Sequence, residues 1–255
     1  MNPLPTGALA MSSLLVCEFK KLKRNSILKY TVLAAFLFPI PLSLLALHAN
    51  MSFDKLKMFV FVFGFYLLMP IFLGLILATL VFEERDNNTL KNILTIPISK
   101  RSLLLAKIVA TLIIGVVFAV ASLILPITLG VARGNIDLGQ FFSTLGIGLI
   151  IGVMVTVADL PLLIVVLKMK KNYLMSFVVS LSYTILSFVI SLQYNRFPLP
   201  LSVVFKWSLP HISSGTMSAS VTRLFFSTPS CIGILCIVAF LSYYVAVKLF
   251  ESEAE

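Results

Sequence analysis

The sequence predicts an all-α integral membrane protein with six transmembrane helices, and three observations predict it. Of its 255 residues 59% are hydrophobic and only 12% charged, with a mean hydropathy of +1.06, whereas about a quarter of a soluble domain is charged. Six apolar runs each reach the roughly 20 residues that a helix needs to cross a bilayer. The basic residues are divided unequally between the two sides of those runs. Little chain is left over for a soluble unit, so residues 1–255 are read as one membrane domain. A formal charge of +10 would suggest nucleic acid as a partner of a soluble protein. Here the basic residues border apolar runs, where anionic headgroups and topology account for them, so the bilayer is expected as partner and nucleic acid is not.

Residues 8–26 form the first element. Met11, Leu15, Phe19 and Leu22 follow helical spacing, while Lys20, Lys21, Lys23 and Arg24 supply charge, the makeup of an amphipathic helix lying among cytoplasmic headgroups. The same charges also serve as a flank that sets topology. Ile27–Leu47 is the first span, kinked by Pro39 and Pro41. It exceeds the 7–15 apolar residues usual for a signal peptide and ends in Leu47, His48 and Ala49, a poor cleavage site, so it is expected to be retained. Met58–Phe82 is the second span, with Gly64, Pro70 and Gly74 marking close contacts or a bend. Leu103–Leu129, Phe141–Leu167, Tyr173–Leu192 and Ser230–Phe250 are the remaining four. Fourteen of the 20 basic residues then share one side, which places both termini in the cytoplasm, and no signal points to a compartment other than the plasma membrane.

Two connections are patterned. Residues 83–101 lie between spans two and three on the cytoplasmic side. Leu90, Ile93 and Leu94 share one face of a short helix, with Arg85, Asp86, Asn87 and Lys91 largely on the others. Ile96 before Pro97 stops that helix, and Ser99 can cap the next one. A solvated loop with a helical turn fits the same residues, as does a helix that meets a partner. Residues 193–229 form the long outer connection, broken by Pro198, Pro200 and Pro210. Its run of Leu201, Val203, Val204, Phe205 and Trp207 predicts a helix dipping into the outer interface, as part of an exit path or as a cover over the bundle.

Within the spans one acidic residue stands out. Asp159 lies about 13 Å from the cytoplasmic end of span four. It is either an intramembrane site for substrate or proton, or the cap of a half-helix restarting at Leu160 and Pro161. Gly148 and Gly152 have GxxxG spacing on the same span, with Gly146 close by, for packing against this chain or a second copy. Cys17, Cys231 and Cys236 lack metal or disulfide spacing and read as packing residues, and His48 and His211 have no carboxylate pattern around them. No metal site is indicated. Glu83 and Glu84 lack the arginine and histidines that a CAAX-type intramembrane protease would add, and no phosphate-cradling G-x-x-x-x-G-K-[ST] run is present. The chain is therefore not expected to be an enzyme, and any ATP must be bound by another subunit.

The 83–101 stretch resembles the connection between spans two and three of ATP-binding-cassette type-2 permeases. In the branch containing lantibiotic and bacitracin immunity exporters, that connection resembles E-x-x-x-G-T-L-x-x-L-L-x-x-P-I-S-R. Glu84, Thr89, Leu90, Ile93, Leu94, Pro97, Ile98 and Ser99 match it, Lys100 and Arg101 stand at the basic position, and Lys107 is the lysine of the following apolar run. Asn88 replaces the glycine and tolerates the same left-handed turn. The six spans, the basic start and the outer segment with Trp207, Ser208, Leu209 and Pro210 extend the likeness over almost the whole chain. The resemblance implies a permease that pairs with itself or a related permease in a bacterial plasma membrane. Two ATPase subunits would hold ATP and magnesium. Glu83, Glu84, Arg85, Thr89, Leu90, Lys91, Ile93, Leu94 and Pro97 would form the coupling helix, and the cargo would be an amphipathic or antimicrobial peptide. The alternatives are an ion-coupled carrier using Asp159 and a non-transporting scaffold or sensor.

Overall fold

The structure, a computed structural model, describes residues 7–86, 100–134, 136–169, 172–194, 197–212 and 226–252. Among them all regular structure is helical, and six helical stretches are long and apolar enough to span a membrane: Ser26–His48, Phe53–Glu83, Arg101–Ala132, Leu138–Lys168, Tyr173–Gln193 and Thr228–Phe250. These coincide with the six predicted spans, so this is a multi-pass membrane protein. Spans two, three and four each bury more than half of their apolar window, whereas spans one, five and six bury 28% and enclose them.

Helix α1 (Gly7–Arg24) precedes the first span, which is built from α2 (Ser26–Leu37) and α3 (Pro39–His48). Asn25 caps α2 by accepting from the Ile27 N–H. Pro39 takes the first position of α3, where its missing N–H costs nothing, so the predicted kink is a break after Leu37. Span two consists of α4 (Phe53–Phe59), a π-helical stretch (Val60–Leu68) and α5 (Met69–Asp86). The π stretch ends with the Met69 N–H on the Gly64 carbonyl, five residues back, immediately before Pro70. A proline ring clashes with the carbonyl four residues before it, and the wider turn relieves that clash.

Span three is α6 (Lys100–Ala132); span four is α7 (Leu138–Ala158) followed by α8 (Leu160–Lys168). Span five is α9 (Tyr173–Gln193), α10 (Pro200–Ile212) lies in the long connection, and α11 (Thr228–Ser252) is span six. The most extensive pairing among the described helices is α6 with α7. A Cβ on Gly152 would lie 2.8 Å from that of Ala119, and one on Gly148 would overlap Leu123, so the GxxxG pair faces span three of the same chain. Gly146 faces open space. Cys231 is buried as expected of a packing residue, but Cys17 and Cys236 are exposed.

Helix α9 is apolar outside and polar inside. Ser176, Ser180, Thr184, Ser187 and Ser191 recur at helical spacing and are all buried, while Met175, Val178, Ile185, Leu186 and Val189 are exposed. Gly74 of α5 lies directly against Ser180, which brings those two helices close. Helix α10 is buried along every position from Pro200 to Ser208. It packs against α7, α9 and α11, so it is enclosed rather than laid over the bundle. Pro210, expected to break this segment, sits inside the last turn of α10 and is exposed.

Candidate functional site

Two polar constellations interrupt the apolar interior. The first gathers at the end of the bundle where α5 leaves span two. Lys107 of α6 is fully buried and donates to the Leu80 carbonyl at 2.6 Å, with the Glu18 carboxylate 3.3 Å away. The other Glu18 oxygen accepts from Lys21 at 2.8 Å. Glu18 is itself 1% exposed, because it shares the helical face of Leu15 and Leu22 that α1 turns toward α6. Asn25 donates to Glu83 at 2.8 Å. One residue thus caps α2 and ties it to the last turns of α5, and the adjoining ion pair ties α1 to α6. A paired, hydrogen-bonded ion pair is stable under cover, while either charge left alone is not. An open cleft of about 580 Å³ lies here, lined by Lys20, Lys21, Arg24, Asn25 and Glu83 among others.

Of the coupling residues read from the sequence, Glu83 belongs to this cluster, and the backbone of Glu84 and Arg85 continues α5. Thr89, Leu90, Lys91, Ile93, Leu94 and Pro97 lie outside the described residues.

The second constellation is inside the bundle. Asp159 stands at the junction of α7 and α8, is 0% exposed, and has no hydrogen-bond partner for either carboxylate oxygen among the described residues. The helix does restart at Leu160, with Pro161 in its first turn, but the expected side-chain cap is not made. The backbone explains why. Asp159 has φ −86° and ψ −8° instead of the extended conformation of a capping residue, Pro161 has no N–H, and the Leu162 N–H bonds the Asp159 carbonyl at 2.9 Å. Beside it the Tyr183 hydroxyl donates to the Ala158 carbonyl at 2.7 Å, and the backbone of Leu201, at the start of α10, lies next to the same tyrosine.

Helix α10 joins this site to the opposite end of the bundle. The Ser202 hydroxyl donates to the Ser187 carbonyl at 2.6 Å, and the Lys206 amine donates to the Tyr194 carbonyl. Positions 201, 202 and 206 therefore follow 183, 187 and 194, so α10 runs in the same direction as α9. The start of α10 therefore lies at the level of Tyr183, about 15 Å back from the end of α9. Tyr66, in the π-helical stretch, hydrogen-bonds Ser208 and reaches the Val204 carbonyl at 3.4 Å. Trp207 donates to the Thr228 hydroxyl at 3.0 Å and stacks on His211. Burial pushes the Lys206 amine below its ordinary value.

Sequence reasoning found Asp159, Trp207 and Lys107 but missed Glu18, Tyr66 and Tyr183. Glu18 carried a signal, as an acid on the apolar face of a basic helix; the two tyrosines sit in apolar runs and carried none. Comparison with curated proteins returns no match. Comparison with family models matches residues 14–187, more than half of the chain, to the ABC-2 family transporter proteins. The chain therefore belongs to the ABC-2 transporter family, as a multi-pass permease of the kind that works with ATP-binding-cassette ATPase subunits.

Proposed function

We propose that this chain is the permease subunit of an ATP-driven exporter of hydrophobic or amphipathic molecules, a peptide foremost, working as a dimer with itself or a related permease. Separate ATPase subunits bind ATP and magnesium and seat residues 83–101 on the cytoplasmic side of a bacterial plasma membrane. Leu90, Ile93 and Leu94 anchor that contact, while Glu84, Arg85 and Lys91 orient it. The observation that carries the reading is the partly buried polar cluster at the root of this segment. Asn25, Glu83, Glu18 and Lys107 link α5 to α1, α2 and α6, so a push on the segment moves four helices together. ATP binding can shift the permease between states only by the difference in docking energy between them. Helix α1 lies among headgroups, with Lys20 and Arg24 toward anionic lipid. Helix α10, with Trp207 and Pro210, is re-entrant from the outer face.

The test is co-purification with a partner ATPase and measurement of ATP turnover. Ile93→Asp with Leu94→Asp should abolish the stimulation that the permease gives; normal coupling in that variant would sink the docking role. The unpartnered Asp159 supports one rival reading, an ion-coupled carrier. Transport that follows an imposed ion gradient without ATP would favour it.

A further inference from the structure

We infer that Asp159 and the hydroxyl-bearing face of α9 form a binding site for a cationic group of the transported molecule, an ammonium or guanidinium carried on an apolar body, occluded in this conformation by α10. The inference rests on the transport function proposed above and names its substrate class.

A carboxylate in an apolar interior must be neutralised or paired, and this one is held open. Three donors of the described residues beside it are committed elsewhere. The Tyr183 hydroxyl serves the Ala158 carbonyl, the Thr156 hydroxyl serves the Gly152 carbonyl at 2.8 Å, and the Leu162 N–H serves the Asp159 carbonyl. The buried lysines are committed as well, Lys107 to Glu18 and Leu80 and Lys206 to Tyr194. A purely structural aspartate at a helix restart would accept from the backbone of that restart, and this one does not. Its acceptor capacity is left for something the described residues do not supply.

From the level of Tyr183 the polar face of α9 leads outward through Ser187 and Ser191, both buried. The Ser187 hydroxyl also has no partner among the described residues. It borders a void of about 10 Å³, one water in size, lined by Tyr66, Ser191, Leu201 and Phe205 among others. Helix α10 fills the rest of this track, held by hydrogen bonds from Ser202 and Lys206 and by the Tyr66–Ser208 pair. Its withdrawal would expose oxygen acceptors along one wall and the rings of Tyr66 and Phe188 along another, a surface that attracts an organic cation.

The probe is radiolabelled tetraphenylphosphonium, compared with tetraphenylborate, an anion of the same shape, on the full chain with its partner ATPase in nanodiscs. Above the uptake of empty nanodiscs, tetraphenylphosphonium should bind saturably and tetraphenylborate should not. Asp159→Asn should weaken the phosphonium by about tenfold or more, and Asp159→Glu should retain most of it. In the unaltered protein the phosphonium should also protect Asp159 from modification by a hydrophobic carbodiimide, a readout that survives if a variant folds poorly. Equal binding of the two ions, undiminished binding to Asp159→Asn, or absence of protection would each overturn the inference. Stimulated ATP turnover is recorded on the same samples. Normal stimulation with no phosphonium binding would reject the cation site and leave the coupling role standing, whereas binding without stimulation would do the reverse.

Discussion

Replacing Glu18 by alanine tests whether α1 is part of the machine or an attachment to it. At 3.3 Å and an effective dielectric near 20, the Coulomb attraction between Glu18 and Lys107 is about 5 kcal/mol before desolvation is subtracted. Measured losses on removing one member of a buried pair are about 3–5 kcal/mol, because the other charge stays under cover. Lys107 keeps the Leu80 carbonyl, which places Glu18→Ala near the lower end, about 3 kcal/mol. Glu18→Gln keeps the shape and one acceptor and should cost less. Lys107→Met should be destabilising too, yet the double variant should lose about 2 kcal/mol less than the sum of the singles, since it leaves neither charge of the pair behind. Trp207 is the chain's one tryptophan and is buried, so its fluorescence reports unfolding in mixed micelles titrated with dodecyl sulfate. Strict additivity of the two substitutions would refute the pairing. Under the proposed function, Glu18→Ala should also lower stimulated ATP turnover while leaving the 83–101 sequence intact.

Three further outcomes follow from the packing. Gly152→Ala puts a methyl group 2.8 Å from Ala119 and should cost about 1–3 kcal/mol, whereas Gly146→Ala enters open space and should be neutral or stabilising by up to about 1 kcal/mol, both read in the same unfolding assay. Tyr66→Phe removes the hydrogen bond to Ser208, which still has the Phe205 carbonyl at 2.8 Å, so about 1 kcal/mol should be lost and the protein should remain folded. Lys206 releases its proton in the folded state below the 10.5 at which the unfolded chain does. In that window the unfolded state binds more protons, so stability should rise with pH up to about 10.5, and Lys206→Met should flatten the rise.

The six spans were legible because a bilayer demands about 20 apolar residues in sequence, a local property of the chain. Pro39 and Pro161 were legible for a related reason: a missing N–H is felt within one turn. The Glu18–Lys107 pair joins residues 89 positions apart, and no local pattern encodes such a contact. Helix α10 was legible as an apolar, tryptophan-bearing segment, but its enclosure was not, because α10 begins beside the middle of α9 and only tertiary contacts record that placement. The capping role weighed for Asp159 failed on a detail of ψ, since an aspartate before a proline-bearing first turn reads alike whether its own backbone is extended or helical. The apolar face of Leu90, Ile93 and Leu94 falls outside the described residues and stays a matter for the coupling experiment.

The inward hydroxyls of α9 have a consequence for how the protein is made. Their presence leaves this stretch the least apolar of the six, so it is the one an insertion channel would hold with least conviction. Its serines need a waiting surface, and that surface is α5, where Gly74 receives Ser180 and which is synthesised about a hundred residues earlier. Biogenesis then has a required order: span two must already be seated before span five can leave the channel. A bulky side chain at position 74 would act at that step, stranding nascent chains whose six spans are individually intact.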